Sequence, residues 1–193
     1  MLLPTSCPVC GALGAAPCPS CRAWVRPPPQ PAVPPGLDSL AVLLEYSGTG
    51  RELVARLKYR NARSAVAWLA AGMAELVDAD EIDVVTWVPT TPSRRRQRGF
   101  DQGRVLATAV ARRLHRPCQS LLRRREGPPQ TGRSRLQRLH GPDLVVRSWR
   151  PPPSRVLLVD DVVTTGATMA AAAQVLSRAG AAAVHAVSAA HRP

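Results

Sequence analysis

Apolar residues recur along this chain at helical spacing in some stretches and as short continuous runs in others, and the alternation of the two predicts the fold. Leu53, Val54 and Leu57 share one side of a helix that Thr49-Gly-Arg-Glu52, in the form of a capping box, would open. Leu69, Met73 and Leu76 keep the same period through a second helix. Ile82 to Val88, rich in β-branched residues and stopped by Pro89, predicts a strand. Beyond it the Asp101 side chain is placed to cap a helix whose Leu106, Ala109, Val110 and Leu114 form a stripe. Arg155 to Val159 predicts a strand covered on both faces, Thr168 to Ala179 a helix stopped by Gly180, and Ala182 to Ser188 a further strand. Residues 155–188 thus have the length of a right-handed parallel crossover, which makes the class α/β.

Two regions fall outside this pattern. Cys7 to Cys21 holds four cysteines and no periodic stripe, and it is followed by Arg26-Pro-Pro-Pro-Gln-Pro-Ala-Val-Pro-Pro-Gly36. Proline fixes φ and removes a donor, so that stretch predicts an extended, semi-rigid linker. The expected division is a small module over 1–26, a linker over 27–36 and an α/β domain over 37–193. The other irregular region is basic: residues 94–147 carry 15 of the 26 Lys and Arg residues against 3 of the 13 acids.

Composition narrows the setting. A chain of 193 residues suffices for one well-buried domain and an appendage. Met1 to Ser6 lacks the cationic start of a secretory signal, and no stretch nears the ~20 apolar residues of a membrane span. A cytoplasmic protein with no stable membrane insertion is expected, and thiols there stay reduced. The net charge of +13, concentrated as described, attracts phosphates on a small molecule or along nucleic acid.

The chemistry concentrates near the end of the chain. Val156-Leu-Leu-Val-Asp160-Asp161 carries two carboxylates to the carboxyl edge of a parallel sheet, where ligands bind. Val162-Val-Thr-Thr-Gly-Ala-Thr168 follows, a turn whose N–H groups, hydroxyls and helix start suit a phosphate, with Gly166 allowing close backbone approach. The alternative is a paired-acid Mg2+ site of the receiver-domain kind, whose acids come early in the domain without a threonine turn. Val156 to Met169 resembles the ribose-5-phosphate signature of type I phosphoribosyltransferases. That resemblance implies a type I phosphoribosyltransferase-like parallel sheet flanked by helices. It further implies Asp160 and Asp161 as the catalytic pair on the ribose hydroxyls, and Thr164, Thr165, Gly166, Ala167 and Thr168 around the 5-phosphate. Val88, Pro89 and Thr90 would hold the diphosphate, which Mg2+ accompanies because it prefers substrate phosphates to an all-protein cage.

Arg94-Arg-Arg-Gln-Arg98-Gly-Phe100-Asp-Gln102 resembles the Arg-x-x-x-Arg-Gly-Phe-Asn-Gln motif of the ComF family, the competence-associated branch of that superfamily, with Asp101 in place of Asn. Tyr46-x-Gly48-x-x-Arg51, Leu57-Lys-Tyr59, Gln130 and Arg138 resemble further ComF landmarks in the same order, whereas His140 and Gly141 stand where that pattern has an Asn. Arg123, Arg124, Arg125, Arg133, Arg135 and Arg138, with Pro128, Pro129 and Gly132 among them, read as a mobile basic loop, the alternative being a solvated surface. Such a loop would close over diphosphate, or Arg94, Arg98 and their neighbours would track single-stranded DNA with Phe100 stacking on a base. Phe100 is more often a core residue than a platform.

Cys7-Pro-Val-Cys10 and Cys18-Pro-Ser-Cys21 are spaced for four thiolates on one ion, which suits structural Zn2+. An iron–sulfur site and redox-active thiols are the alternatives; ComF proteins commonly begin with such a knuckle. Cys118 reads as a buried residue outside the set, and the four histidines show no ligand spacing. Two functional readings result. In one, a ComF-like protein binds phosphoribosyl diphosphate or a related sugar phosphate with Mg2+ and works in DNA uptake with single-stranded DNA and uptake or recombination proteins as partners. In the other, an active phosphoribosyltransferase of nucleotide metabolism draws its acceptor pocket from residues 36–80, Lys58 and Tyr59 included.

Overall fold

A computed structural model describes residues 5–29, 31–57, 63–125, 142–147 and 151–193. In chain order its elements are α1 (Pro19–Arg22), β1 (Ser39–Glu45), α2 (Gly48–Arg56), α3 (Val66–Glu75), β2 (Val84–Trp87), α4 (Pro92–Arg98), α5 (Gln102–Leu114), β3 (Leu122–Arg124), β4 (Leu144–Val146), β5 (Arg155–Val163), α6 (Ala167–Arg178) and β6 (Ala183–His191). Four strands make a parallel sheet in the order β1-β6-β5-β2, and β3 pairs with β4 as an antiparallel ribbon. The parallel sheet flanked by helices is the phosphoribosyltransferase-like architecture expected from the sequence.

Successive strand residues face opposite sides, and β5 shows what that does to the core. Leu157 and Val159 join Leu53 of α2, Leu69 and Met73 of α3 and Leu106 and Val110 of α5. Val156 and Leu158 join Met169, Ala172 and Leu176 of α6 together with Leu122 and Leu144 of the ribbon. A strand buried on both faces needs a nearly unbroken apolar run, which Val156 to Val159 supplies.

Parallel crossovers share one hand, so connections running in opposite directions along the sheet must use opposite faces. They do. The chain leaves β2 through α5 and reaches Cys118, which bridges Val85 in parallel on the far side of β2. It then returns through the β3–β4 ribbon, on the face that α6 also covers, to enter β5. At the amino edge, Arg155 Nη2 donates to Asp83 Oδ1 at 2.6 Å and Arg155 N to Asp83 Oδ2 at 2.9 Å, tying the start of β5 to the approach to β2. This guanidinium holds the Asp83 carboxyl below its usual range.

Several local readings change. The capping box does not form: α2 starts at Gly48 with Ser47 before it and no side-chain cap. A tight β1–α2 turn brings Gly50 against the Glu45 carbonyl, where a Cβ would collide, and this sets the helix start ahead of Thr49. Leu76 ends α3 and is 46% exposed rather than part of its buried stripe. The Ile82 to Val88 run is a strand only over β2, and the stretch after it contains the short helix α4 with Thr91 Oγ1 accepting from Arg94 N at 3.3 Å. β5 runs on through both acids, β6 reaches His191, and β1 completes the far edge of the sheet. Most described positions of the Pro-rich segment are exposed, but Pro34 is buried and lies where a side chain at Gly166 would go.

Candidate functional site

All four parallel strands end at one edge, and β5 carries the acids furthest into it. Asp160 pairs in register with Ser188; the ladder skips Asp161 and resumes at Val162 opposite Ala190. Consecutive positions put the two carboxyls on opposite faces. Asp161 lies on the α5 side, where Gln102 Nε2 donates to its Oδ2 at 3.5 Å. Asp160 lies on the ribbon side, and its Oδ1 accepts from Asp161 N at 2.8 Å. Burial pushes the Asp160 carboxyl well above the usual carboxylate range, the Asp161 charge adds to the rise, and Arg124 works against it.

The hydroxyl-rich turn follows at once. Thr164 and Thr165 are exposed, Gly166 takes a left-handed φ of 74°, and α6 opens at Ala167 with Thr168 in its first turn. Thr165 Oγ1 accepts from Ala167 N at 3.4 Å. The turn therefore stands at the start of a twelve-residue helix, at the edge where the acids lie. Gly166 is required twice over, by its φ and by the proline packed against it.

The neighbouring loop leaves β2 through Val88, which is buried, and Pro89 and Thr90, which are half-buried. Asp101 organises it. One carboxylate oxygen accepts from Gly103 N at 3.0 Å and Arg104 N at 3.4 Å, capping α5 as expected, while the other accepts from Thr90 N at 3.2 Å. Arg124 Nε donates to Pro89 O at 2.7 Å, so β3 buttresses the same loop. Arg123 and Arg124 thus sit in a strand, not in the loop that the sequence suggested. The sequence named Gln102 in the motif after α4 and Arg124 in a basic segment, but not their contacts, because both act across the fold.

Of the other basic positions, Arg94, Arg95 and Arg96 are exposed on α4, and Arg98 is partly buried. Phe100 is half-buried at the α4–α5 junction and belongs to neither main core cluster among the described residues. Arg133, Arg135, Arg138, Gln130, His140, Gly141, Lys58 and Tyr59 lie outside the described residues. Cys118 is half-buried, 3.8 Å from Thr108 Oγ1.

In the N-terminal module the sulfurs of Cys7, Cys10, Cys18 and Cys21 lie within 4.8 Å of one another, Cys10 and Cys18 at 3.6 Å. Four sulfurs held ~2.3 Å from one ion in a tetrahedron stand about 3.8 Å apart, so small side-chain shifts suffice for the set to close on Zn2+. All four are free thiols. Burial works to raise the Cys7 thiol, yet backbone N–H groups of Cys18, Cys10 and Val9 bring it down to about 6, whereas burial and the neighbouring thiols push Cys21 up to about 12.

Residues 101–193 match the phosphoribosyl transferase domain model. Over 195 residues the chain is 32% identical to DNA utilization protein YhgH of Escherichia coli, covering 93% of this chain and 81% of that protein. It is 26% identical to competence protein ComFC of Bacillus subtilis over 92% of this chain and 73% of the relative, and 34% identical to competence protein ComFC of Streptococcus pneumoniae over 49% and 41%. The glutamine phosphoribosylpyrophosphate amidotransferase of B. subtilis superposes with a TM-score of 0.49 at 23% identity, over 69% of this chain and 30% of that one.

Proposed function

This chain belongs to the ComF family of phosphoribosyl transferase-like proteins, and from that premise we propose that it binds phosphoribosyl diphosphate or a related sugar phosphate with Mg2+ and acts in DNA uptake in the cytoplasm. One observation supports the reading above all others: β5 carries two carboxylates near its end, and the chain passes from it through a short threonine turn and a left-handed glycine into the start of α6. In this reading Asp160 and Asp161 take the ribose hydroxyls and the Thr164 to Thr168 turn takes the 5-phosphate, using unpaired helix N–H groups and threonine hydroxyls. The loop Val88-Pro89-Thr90, fixed by Asp101 and Arg124, faces the diphosphate. Carboxylates and hydroxyls are hard oxygen donors of the kind that Mg2+ accepts, and the ion would supply charge neutralisation on the diphosphate.

The names of the relatives refer to competence and DNA utilization. The exposed arginines of α4 would carry single-stranded DNA, and the knuckle, which leaves Trp24 77% and Leu13 74% exposed, would meet an uptake or recombination protein. Among the described residues no helix is long and apolar enough to cross a membrane.

The deciding measurement is a thermal melt with and without phosphoribosyl diphosphate and Mg2+. Ligand at a hundredfold excess over its Kd should stabilise by about 2.7 kcal/mol, and Asp160→Asn or Asp161→Asn should each remove most of that rise. A wild-type melt that ignores the ligand rules out the site. Release of diphosphate on adding nucleobases would mark a working transferase rather than a binder.

A further inference from the structure

Gln102 opens α5 directly after its capping residue and is only 9% exposed. A carboxamide so buried ordinarily uses both ends, because an unmet polar atom costs about 1–3 kcal/mol. Here one end is engaged: Nε2 faces Asp161 Oδ2 at 3.5 Å. The other is not, since Oε1 is buried with no hydrogen-bond partner among the described residues. Rotating the amide does not resolve this, because it would turn Oε1 toward a carboxylate oxygen and leave two acceptors facing each other.

The requirement is therefore for a donor brought from outside, close to Asp161. We propose that Gln102 is a specificity-determining residue of the sugar site, in which its Nε2 holds Asp161 and its Oε1 accepts from a hydroxyl of the bound pentose. A sugar hydroxyl has the needed character: it donates to one acceptor while accepting from another, and a carboxylate and an amide oxygen side by side are acceptors for a pair of adjacent hydroxyls. Inorganic diphosphate offers no pair of adjacent hydroxyls and gains nothing from Gln102. The inference rests on the sugar-phosphate reading above, and it adds that affinity for the pentose, not for the phosphates, passes through this amide.

The test compares two probes by titration calorimetry, ribose 5-phosphate and inorganic diphosphate, each with Mg2+, on wild type and on Gln102→Leu. Leucine keeps the buried volume and removes both polar ends. The expected result is a threefold to tenfold loss of affinity for ribose 5-phosphate, the worth of a neutral hydrogen bond, with diphosphate binding unchanged and an unliganded melting temperature no lower than wild type. Equal weakening of both probes, or of neither, overturns the proposal. Should Gln102→Leu not fold, Gln102→Asn, which withdraws the amide by one methylene, must show the same selective loss. Failure of the wild-type chain to bind ribose 5-phosphate would instead bring down the sugar-phosphate reading itself, a result that no Gln102 variant can mimic.

Discussion

At residue 101 the motif shared with ComF proteins carries an aspartate for an asparagine, and the structure gives that exchange a function. Both carboxylate oxygens are in use, one for the α5 cap and one for Thr90 N–H. An asparagine would keep the cap and turn an NH2 group toward that N–H. Asp101→Asn should cost about 1 kcal/mol and loosen the Val88 to Thr90 loop without loss of helix; an unchanged melting temperature would contradict this. Asp160 yields a prediction of opposite sign. Its carboxyl is raised by burial first and by Asp161 second, so between the ordinary carboxylate range and the raised folded value the native state holds a proton that the unfolded chain has released. Stability therefore falls as pH rises through that window. Asp160→Asn removes the ionisation, and the variant should be more stable than wild type at pH 7, although it no longer responds to ligand. Denaturant titrations from pH 4 to 8 would measure the gap, and one that stays constant across the series would show that Asp160 ionises freely.

Among the elements, those that the sequence disclosed are the ones whose information is local. α5 and α6 each carry a stripe over a dozen residues, with a cap or a stop of recognisable type, and the acid step with its turn is contiguous. β1 was missed because Leu40 to Leu44, an apolar run after a proline-rich stretch, gains its identity only by pairing with β6 near the far end of the chain. β3 and β4 are three residues each and find one another across the basic segment. The same limit hid two contacts of the site: Gln102 reaches Asp161 across 59 positions and Arg124 reaches Pro89 across 35, contacts that exist only because crossovers use both faces of the sheet. α4 was hidden differently, since its four arginines have no apolar stripe and only Thr91 and Gly99 mark its ends. That short helix presents Arg94, Arg95 and Arg96 to solvent. Replacing the three with glutamine should lower the salt dependence of single-stranded DNA binding, reducing the slope of log affinity against log salt by about 2. A slope that does not move places the DNA elsewhere.

Across the whole molecule, the cysteine module and the carboxyl edge of the sheet are joined by more than a tether. Val9 and Val25 pack against the α2–α3–α5 core, the Arg22 guanidinium lies 6.0 Å from the centre of the Trp68 ring on α3, and Arg26 O accepts from Glu45 N at 3.0 Å at the end of β1. Eight residues later Pro34 is wedged over Gly166. The chain thus runs from the last thiolate to the threonine turn and is fixed at three points on the way, at Arg22 and Val25, at Arg26 and at Pro34. If Zn2+ fixes α1, losing it frees Arg22 from Trp68 and loosens the anchoring that presses Pro34 on the turn. Metal-free protein, or Cys7→Ser with metal loss verified by elemental analysis, should then melt several degrees lower in its α/β transition and bind phosphoribosyl diphosphate several-fold more weakly. An independent module predicts otherwise, because unfolding it would leave both quantities where they were. The second variant needed to separate these outcomes is Pro34→Gly, which spares the thiolates and the knuckle but removes the wedge. If it reproduces the loss of ligand affinity while zinc content is unchanged, the linker is the path of coupling.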